Sequence, residues 1–312
     1  MATAKHNQLS GYLLCAGGAT LFSTKAIFIK LAFVEQTNAT LMLAWRMIFA
    51  VPFFIAVGIW AYRSKLQSGA TMPGARVVAS AVATGCIGYY FSSYADFKGL
   101  EYITAQLERL LLFTYPLFVM FLAAVFMRQP LTRWGLGAAA ITYAGLAIVF
   151  GLDLPTGGRN IFIGSGFVIA AAFAFAIYQL LAKRYISRLG SALFTSIALT
   201  SSGIACILHQ AFWSGGNFAA SSYFLSLCAA CAIFATVIPS FLINAGMARI
   251  SSQAVAMIST ISPLVTIILA VLILHEPFTI ADAFGSAMVL AGVGLYTWSD
   301  MRRKTLEPSP AE

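Results

Sequence analysis

Ten apolar runs, each about as long as a helix that crosses a hydrocarbon core of ~30 Å, recur along this chain at 10–30, 40–60, 77–97, 104–127, 134–152, 161–181, 191–212, 220–243, 252–274 and 281–299. No soluble domain fits between them. Composition agrees: 60% of the 312 residues are apolar and 9% are charged, against roughly 25% charged in soluble domains, and the mean hydropathy is +0.86. Lipid rather than a polar shell must cover much of such a surface, which excludes an ordinary water-soluble enzyme. The sequence predicts an all-α membrane protein of ten transmembrane helices. Its first run carries Lys25 and has no convincing cleavage site, so it is expected to stay as an anchor rather than act as a signal peptide.

A formal charge of +9 would suit a nucleic-acid partner if the basic residues formed a stripe, but they fall in the short loops between runs. With the amino terminus placed inside, 13 of the 19 Lys and Arg residues lie on the inner side, and Lys30, Lys98 and Arg159 lie outside. That asymmetry is the positive-inside rule. It predicts a multi-pass protein of the cell's inner membrane with both termini cytoplasmic, and makes the lipid bilayer the partner rather than nucleic acid.

Shifted by 147 residues, positions 99–145 fall on 246–292 with 12 identities in 47, and Pro116 and Pro130 fall on Pro263 and Pro277. A shift of 153 places Gly11 on Gly164 and Lys30 on Lys183. The chain is therefore expected to hold one repeat over 1–153 (helices one to five), a second over 154–300 (helices six to ten) and a cytoplasmic tail over 301–312. Five helices per copy is an odd number, so the second copy must enter the membrane from the opposite side. Two inverted repeats around a central cavity suit alternating access, because exchanging the conformations of the halves turns an outward-open cavity into an inward-open one.

Phe22-Ser23-Thr24 with Lys30 in the first run, Glu108-Arg109-Leu110-Leu111-Leu112-Phe113-Thr114-Tyr115-Pro116 in the fourth, and Ser262-Pro263-Leu264 and Glu276-Pro277-Phe278-Thr279 with Gly285 and Ala291-Gly292 in the second copy resemble the drug/metabolite transporter superfamily in its ten-helix form with two EamA-type domains. The resemblance covers nearly the whole chain. It implies a basket of helices around a central cavity and export of small metabolites, often amino acids, without naming a substrate. The first copy departs from the pattern with Gln129-Pro130 where Glu-Pro or Glu-Arg is usual, which leaves that carboxylate a helix-end role.

Lys25, Arg46, Glu108 and Arg109 lie inside runs, where an ionisable group costs on the order of 2.5–3.5 kcal/mol on insertion scales and so faces an aqueous cavity or a partner. With Asp96 and Lys98 at the end of helix three they form one layer, within about 10 Å of the outer boundary at ~1.5 Å per residue. The second copy has Tyr178, Leu199, Ile243, Val255 and Ala256 at the matching positions, so the repeat is symmetric in structure and lopsided in chemistry. Two readings stand. In one, the charges form a structural network, with Glu108 paired to Lys25 or Arg46 and Arg109 snorkelling to the interface. In the other, Lys25 and Arg46 bind a substrate carboxylate or similar anion while Glu108 takes a proton or a substrate amine; three cations against two carboxylates favour an anionic substrate. Glu108 is also the candidate for proton coupling, which needs a group whose protonation differs between the two facing states.

Tyr89, Tyr90 and Tyr94 in the third run and Tyr115 in the fourth either pack the core or line the cavity with flat walls and hydroxyl handles; Tyr89 and Tyr94 are taken as substrate-binding candidates. Gln179, Asn244 and Gln253 suit interhelical hydrogen bonds. Pro116 and Pro263, equivalent in the two copies, are candidate hinges or static bends, and Gly135, Gly137, Gly145, Gly285, Gly292 and Gly294 should let helices five and ten pack closely. The five cysteines sit in apolar runs and read as packing residues, Cys228-Ala-Ala-Cys231 included. His6, His209 and His275 have no metal spacing, so no metal or cofactor is expected. Secondary transport of a small polar metabolite, an amino acid or related organic anion, is the function these features support. A membrane-embedded enzyme acting on a lipid or small molecule is the alternative, but it would need a nucleophile with its base or a metal set, and no such cluster stands out.

Overall fold

The computed structural model describes residues 2–69, 73–127, 133–247, 249 and 261–306, and every regular element among them is helical. Helix α1 (Ala2–Ser23) is followed after one residue by α2 (Lys25–Glu35). The break is built by side chains that compete for the backbone: Ser23 Oγ donates to the Ala19 carbonyl at 2.7 Å and Thr24 Oγ1 to the Leu21 carbonyl at 2.6 Å. Helix α3 (Ala39–Gln67) starts at Asn38, whose side chain accepts from the Leu41 amide, and carries Pro52 without interruption.

Helices α4 (Ala75–Gly85) and α5 (Ser92–Leu100) are joined by a π-helical turn, Cys86–Phe91. The fourth run divides into α6 (Ala105–Leu112) and α7 (Tyr115–Met127). That division has a covalent cause, since Pro116 lacks the N–H that would continue the ladder. Helix α8 (Arg133–Leu189) is two apolar segments in line, bent at Gly158, where φ 53° and ψ −136° leave the helical region; the expected fifth and sixth runs meet there. Helices α9 (Ser191–Phe212), α10 (Ser222–Ala232), α11 (Ile238–Met247), α12 (Ile261–Leu274) and α13 (Ile280–Leu306) complete the chain, with a second π turn, Ile233–Val237, between α10 and α11. The two π turns begin 147 residues apart, the shift that relates the two sequence copies.

Six stretches among the described residues are long and apolar enough to cross a membrane: Leu9–Glu35, Ala39–Gln67, Ala105–Phe126, Gly158–Ile186, Ser191–Phe212 and Ser222–Ile243; Arg133–Val149, Ser262–Leu274 and Ile280–Tyr296 are shorter apolar helices. The first part of the expected ninth run, with Gln253, Val255 and Ala256, lies outside the described residues, as do Gln129 and Pro130.

Close crossings repeat under the same shifts. A Cβ on Gly99 would lie 3.0 Å from the Gly164 carbonyl oxygen, and one on Gly246, its image, 2.9 Å from that of Gly11. Between α8 and α13, a Cβ on Gly145 would lie 2.6 Å from the Gly285 oxygen and one on Gly292, its image, 2.8 Å from the Ala138 oxygen. Gly137 and Gly294 are different: a Cβ at either meets nothing within 4 Å. They were expected to help these helices pack and instead face open space.

Candidate functional site

Four elements bring the intramembrane charges together. The break at Thr24 leaves Lys25 at the first position of α2, and its Nζ donates to Asp96 Oδ2 on α5 at 2.6 Å. Asp96 interacts electrostatically with Arg109 as well, and Glu108 with Lys25, Asp96 and Arg109. Glu108 and Arg109 sit in the middle of α6, with Arg109 Nε 3.9 Å from Glu108 Oε2. The side chain of Lys25 is 12% exposed, Arg46 3%, Arg109 7% and Glu108 0%, so little bulk water reaches the group.

This arrangement departs from the structural network expected from sequence. Lys25 is taken by Asp96, Glu108 faces its neighbour Arg109, and Arg109 does not snorkel. Helix α6 is packed between α8 and α12, which leaves Arg109 no path to a lipid interface. Several donors of the cluster also have no hydrogen-bond partner, Nε and Nη2 of both Arg46 and Arg109, while the Asp96 and Glu108 carboxyl groups face each other. Buried polar groups are normally paired, so a cluster with this many open positions is suited to holding something besides itself.

Phe97, which the sequence reading passed over, is the hub between the two amino-terminal cations. Its ring centroid is 4.7 Å from the Arg46 guanidinium carbon and 5.9 Å from Lys25 Nζ. The carboxy-terminal half contributes thiols: Cys206 on α9 and Cys228 and Cys231 on α10 interact electrostatically with Arg46, and Cys228 Sγ is 3.0 Å from Met42 Sδ. These cysteines are packed in the apolar cluster of the amino-terminal helices.

The tyrosines separate. Tyr89 leaves the charged cluster for Tyr178, with hydroxyls 3.4 Å and ring centroids 4.9 Å apart, in an aromatic group with Phe175 and Phe194. Tyr178 is the position equivalent to Lys25, so an aromatic stack stands in the second copy where the first has its ion pair. Tyr94 faces His209 at 5.0 Å between centroids, and Tyr90 Oη is hydrogen-bonded to His209 Nδ1 at 2.9 Å. Tyr115 packs edge-on against Phe175 at 5.0 Å. His209 was legible only as a histidine near a helix end; its partners come from α9 lying against the π turn.

The candidate hinges flank this cluster. Pro116 follows the α6–α7 break at Phe113 and Thr114, one turn beyond Arg109. Beside Pro263, Ser262 Oγ donates to Ser23 Oγ at 2.8 Å, and Thr266 Oγ1 donates to the Ser23 carbonyl at 3.0 Å, joining α12 to the α1–α2 break.

Carboxylates from other helices hold the helix starts around the cluster. Glu276 accepts from the Ala105 amide at 2.8 Å and the Gln106 amide at 3.2 Å, and Glu101 accepts from the Ala39 amide at 2.7 Å. Ser221, the cap of α10, donates to Glu35. The helix-end role expected of the Glu-Pro carboxylate is thus served across the fold, on α6. Lys30 interacts electrostatically with Glu276 and Glu108.

Apolar helices of membrane-crossing length around a buried ionic cluster define a multi-pass membrane protein. Residues 9–151 and 162–298 match the EamA-like transporter family, and the chain belongs to that family. It is 30% identical over 287 residues to "Uncharacterized transporter YcbK" of Bacillus subtilis (strain 168), covering 88% of this chain and 89% of that protein. It is 22% identical over 323 residues to "Uncharacterized transporter sll1319" of Synechocystis sp., covering 95% and 96%. A crystal structure with 17% identity superimposes at a TM-score of 0.64 over 95% of this chain and 99% of the other, a likeness of fold. The protein is a membrane transporter.

Proposed function

We propose that the chain is an alternating-access secondary transporter of a small polar metabolite, an exporter of amino acids or related organic anions, with Lys25, Arg46, Tyr94, Glu108 and Arg109 forming the substrate site and Tyr89 at its aromatic margin. The observation that carries this reading is the buried cluster of three cations and two carboxylates in which Nε and Nη2 of both Arg46 and Arg109 have no hydrogen-bond partner. A purely structural network would close those positions, because each orphaned buried polar group is destabilising.

The architecture that goes with it is ten helices in two inverted five-helix repeats, 1–153 and 154–300, around a central cavity. The α8–α13 crossing supports the inversion. Ala138 lies opposite Gly292 and Gly145 opposite Gly285, so the two segments run antiparallel; the 147-residue shift makes Gly285 the image of Ala138 and Gly292 that of Gly145. Equivalent helices running in opposite directions are what a two-fold axis in the membrane plane requires. Pro116 and Pro263 serve as the hinges, since each lies next to a helix break or an interhelical hydrogen bond that reaches the charged cluster. Glu108 exchanges the coupling proton, because its carboxyl group faces that of Asp96 and two facing carboxyls are held together by a shared proton.

Purified protein in liposomes tests the reading. Counterflow of labelled solute, screened over amino acids and organic acids, is expected; turnover of a lipid or small molecule without flux would establish the enzyme alternative instead. In the same vesicles Glu108→Gln should abolish flux driven by a proton gradient while leaving exchange at equal pH, and proton-driven flux that survives removes Glu108 from that role.

A further inference from the structure

The charged cluster is not balanced, and its excess has an address. Every other cation near it faces an acid: Lys25 faces Asp96 at 2.6 Å, Lys98 faces Glu101 at 2.5 Å, Arg109 faces Glu108 at 3.9 Å, and Lys30 interacts with Glu276 and Glu108. Arg46 has no ion-pair partner among the described residues. Its side chain is buried, Nε and Nη2 donate to nothing, and its guanidinium lies over Phe97, with the Cys206, Cys228 and Cys231 thiols within electrostatic reach. A π face attracts a cation without neutralising it, so one full positive charge remains in a low-dielectric setting that penalises it.

The surroundings of Arg46 also have a shape. Phe97 follows Tyr94 by three residues on α5, so the two share a face, and Tyr94 and Tyr90 both meet His209. Cys206, three residues before His209 on α9, interacts electrostatically with Arg46 and with Tyr90, and Cys206, Phe97, Tyr90 and Tyr94 belong to one packed cluster. The guanidinium therefore lies against the Phe97 ring, with Tyr94 on the same helix and His209 from the other half next in the packing.

We propose that Arg46 is the counter-ion of the cargo, and that the cargo is an organic monocarboxylate with a flat or aromatic body and no ammonium group. The reading rests on the transporter assignment and selects within it. One carboxylate neutralises the surplus charge. A zwitterionic amino acid would leave that surplus in place and bring a second ammonium beside Lys25, whose acid is already engaged. The planar guanidinium holds a carboxylate through two parallel N–H donors, and the ring of the cargo lies against Phe97, Tyr94 and His209.

3-Phenylpropanoate and phenylalanine share a carbon skeleton and differ by the α-ammonium, which makes them the probe pair. With full-length protein in proteoliposomes, counterflow of labelled 3-phenylpropanoate is expected and that of phenylalanine is not. Arg46→Gln should lower 3-phenylpropanoate exchange by roughly tenfold or more, the scale of hydrogen bonds to a charged group, and Arg46→Lys should retain part of it. Stabilisation of the unmodified protein against heat by 3-phenylpropanoate and not by phenylalanine gives the same answer without relying on a variant that folds. Equal or better exchange of phenylalanine, or 3-phenylpropanoate exchange untouched in a folded Arg46→Gln protein, overturns the proposal while leaving transport standing. Exchange of only neutral or cationic solutes also overturns it. Exchange of no solute across anionic, zwitterionic, neutral and cationic panels overturns the transporter reading itself.

Discussion

Lys25 and Asp96 behave as one unit, because each is buried where the other is its nearest compensation, 2.6 Å away. Removing one partner of such a pair strands the other and destabilises by roughly 3–5 kcal/mol, whereas replacing both with apolar or neutral groups of similar size can be nearly neutral. Lys25→Met and Asp96→Asn should each lower the midpoint of thermal unfolding in detergent, and the double variant should recover most of the loss. If the double variant is as unstable as the sum of the singles, the two residues do not act as a pair. At this scale the sequence exposed the charges but not their partners. Lys25, Arg46, Glu108 and Arg109 stand out because few residues in apolar runs are ionised, and counting residues along the runs placed them in one layer. Partner choice is different in kind: it depends on helix rotation, which the break at Thr24 and the packing of α6 determine. Phe97 carried no signal because a ring in an apolar run is ordinary.

Breaks and caps do at the level of elements what the charges need from them. The amino terminus of α6, three residues before Glu108, is closed by Thr104, whose Oγ1 accepts from the Leu107 amide at 3.2 Å, and by Glu276 across the fold. Loss of a capping acceptor costs roughly 0.5–2 kcal/mol, which is roughly two- to thirtyfold in a local opening equilibrium. Glu276→Ala should therefore speed hydrogen exchange at the Ala105 and Gln106 amides by about that factor, with the amides of α3 unaffected; unchanged exchange would mean the carboxylate does not hold α6. Helix crossings give a second expectation. A side chain at Gly285 would meet the Gly145 oxygen at 2.9 Å and Val149 at 2.7 Å, so Gly285→Val overpacks α8 against α13 and should destabilise by about 1–3 kcal/mol. Gly294→Ala meets open space and should leave thermal stability unchanged or slightly raised. The apolar runs and the Pro116 break were readable because length and a missing N–H are local properties. The π turns were not, since nothing local in Cys86–Phe91 or Ile233–Val237 marks an i→i+5 bond, and their matching positions emerge only when the two copies are compared. Glycines divide in the same way: composition marks them as small, and only the neighbouring helix decides that Gly145 is needed and Gly137 is not.

The molecule as a whole has two ends, and its hydrogen bonds sort the loops between them. Glu101 accepts from Ala39, Glu276 from Ala105, and Glu35 from Ser221, so the starts of α3, α6 and α10 share one end. At the other, Lys65 Nζ donates to the Arg188 carbonyl at 3.0 Å, tying the close of α3 to the close of α8. The first end is rich in carboxylates, and the second holds Arg63, Lys65, Arg184 and Arg188. Basic loops stay in the cytoplasm during insertion, which predicts the Lys65 end inside and the Glu276 end outside. Exposed Ser68 and Asn217 report on the two ends. In a Cys86→Ser background, where the remaining native thiols are buried, a membrane-impermeant maleimide should label Asn217→Cys in intact cells and Ser68→Cys only after permeabilisation. Labelling in the reverse order would invert the protein in the membrane, and labelling of both in intact cells would mean that these loops do not lie on opposite sides. With the predicted order, the layer containing Lys25, Arg46 and Glu108 lies toward the external face, because each follows a helix end held there: Lys25 is on α2, which closes at Glu35, Arg46 is early in α3, and Glu108 is in the first turn of α6. In the proposed alternating-access cycle, cargo loaded from the cytoplasm would then travel most of the membrane's depth before it meets Arg46, and movement about the proposed hinges at Pro116 and Pro263 would supply that path.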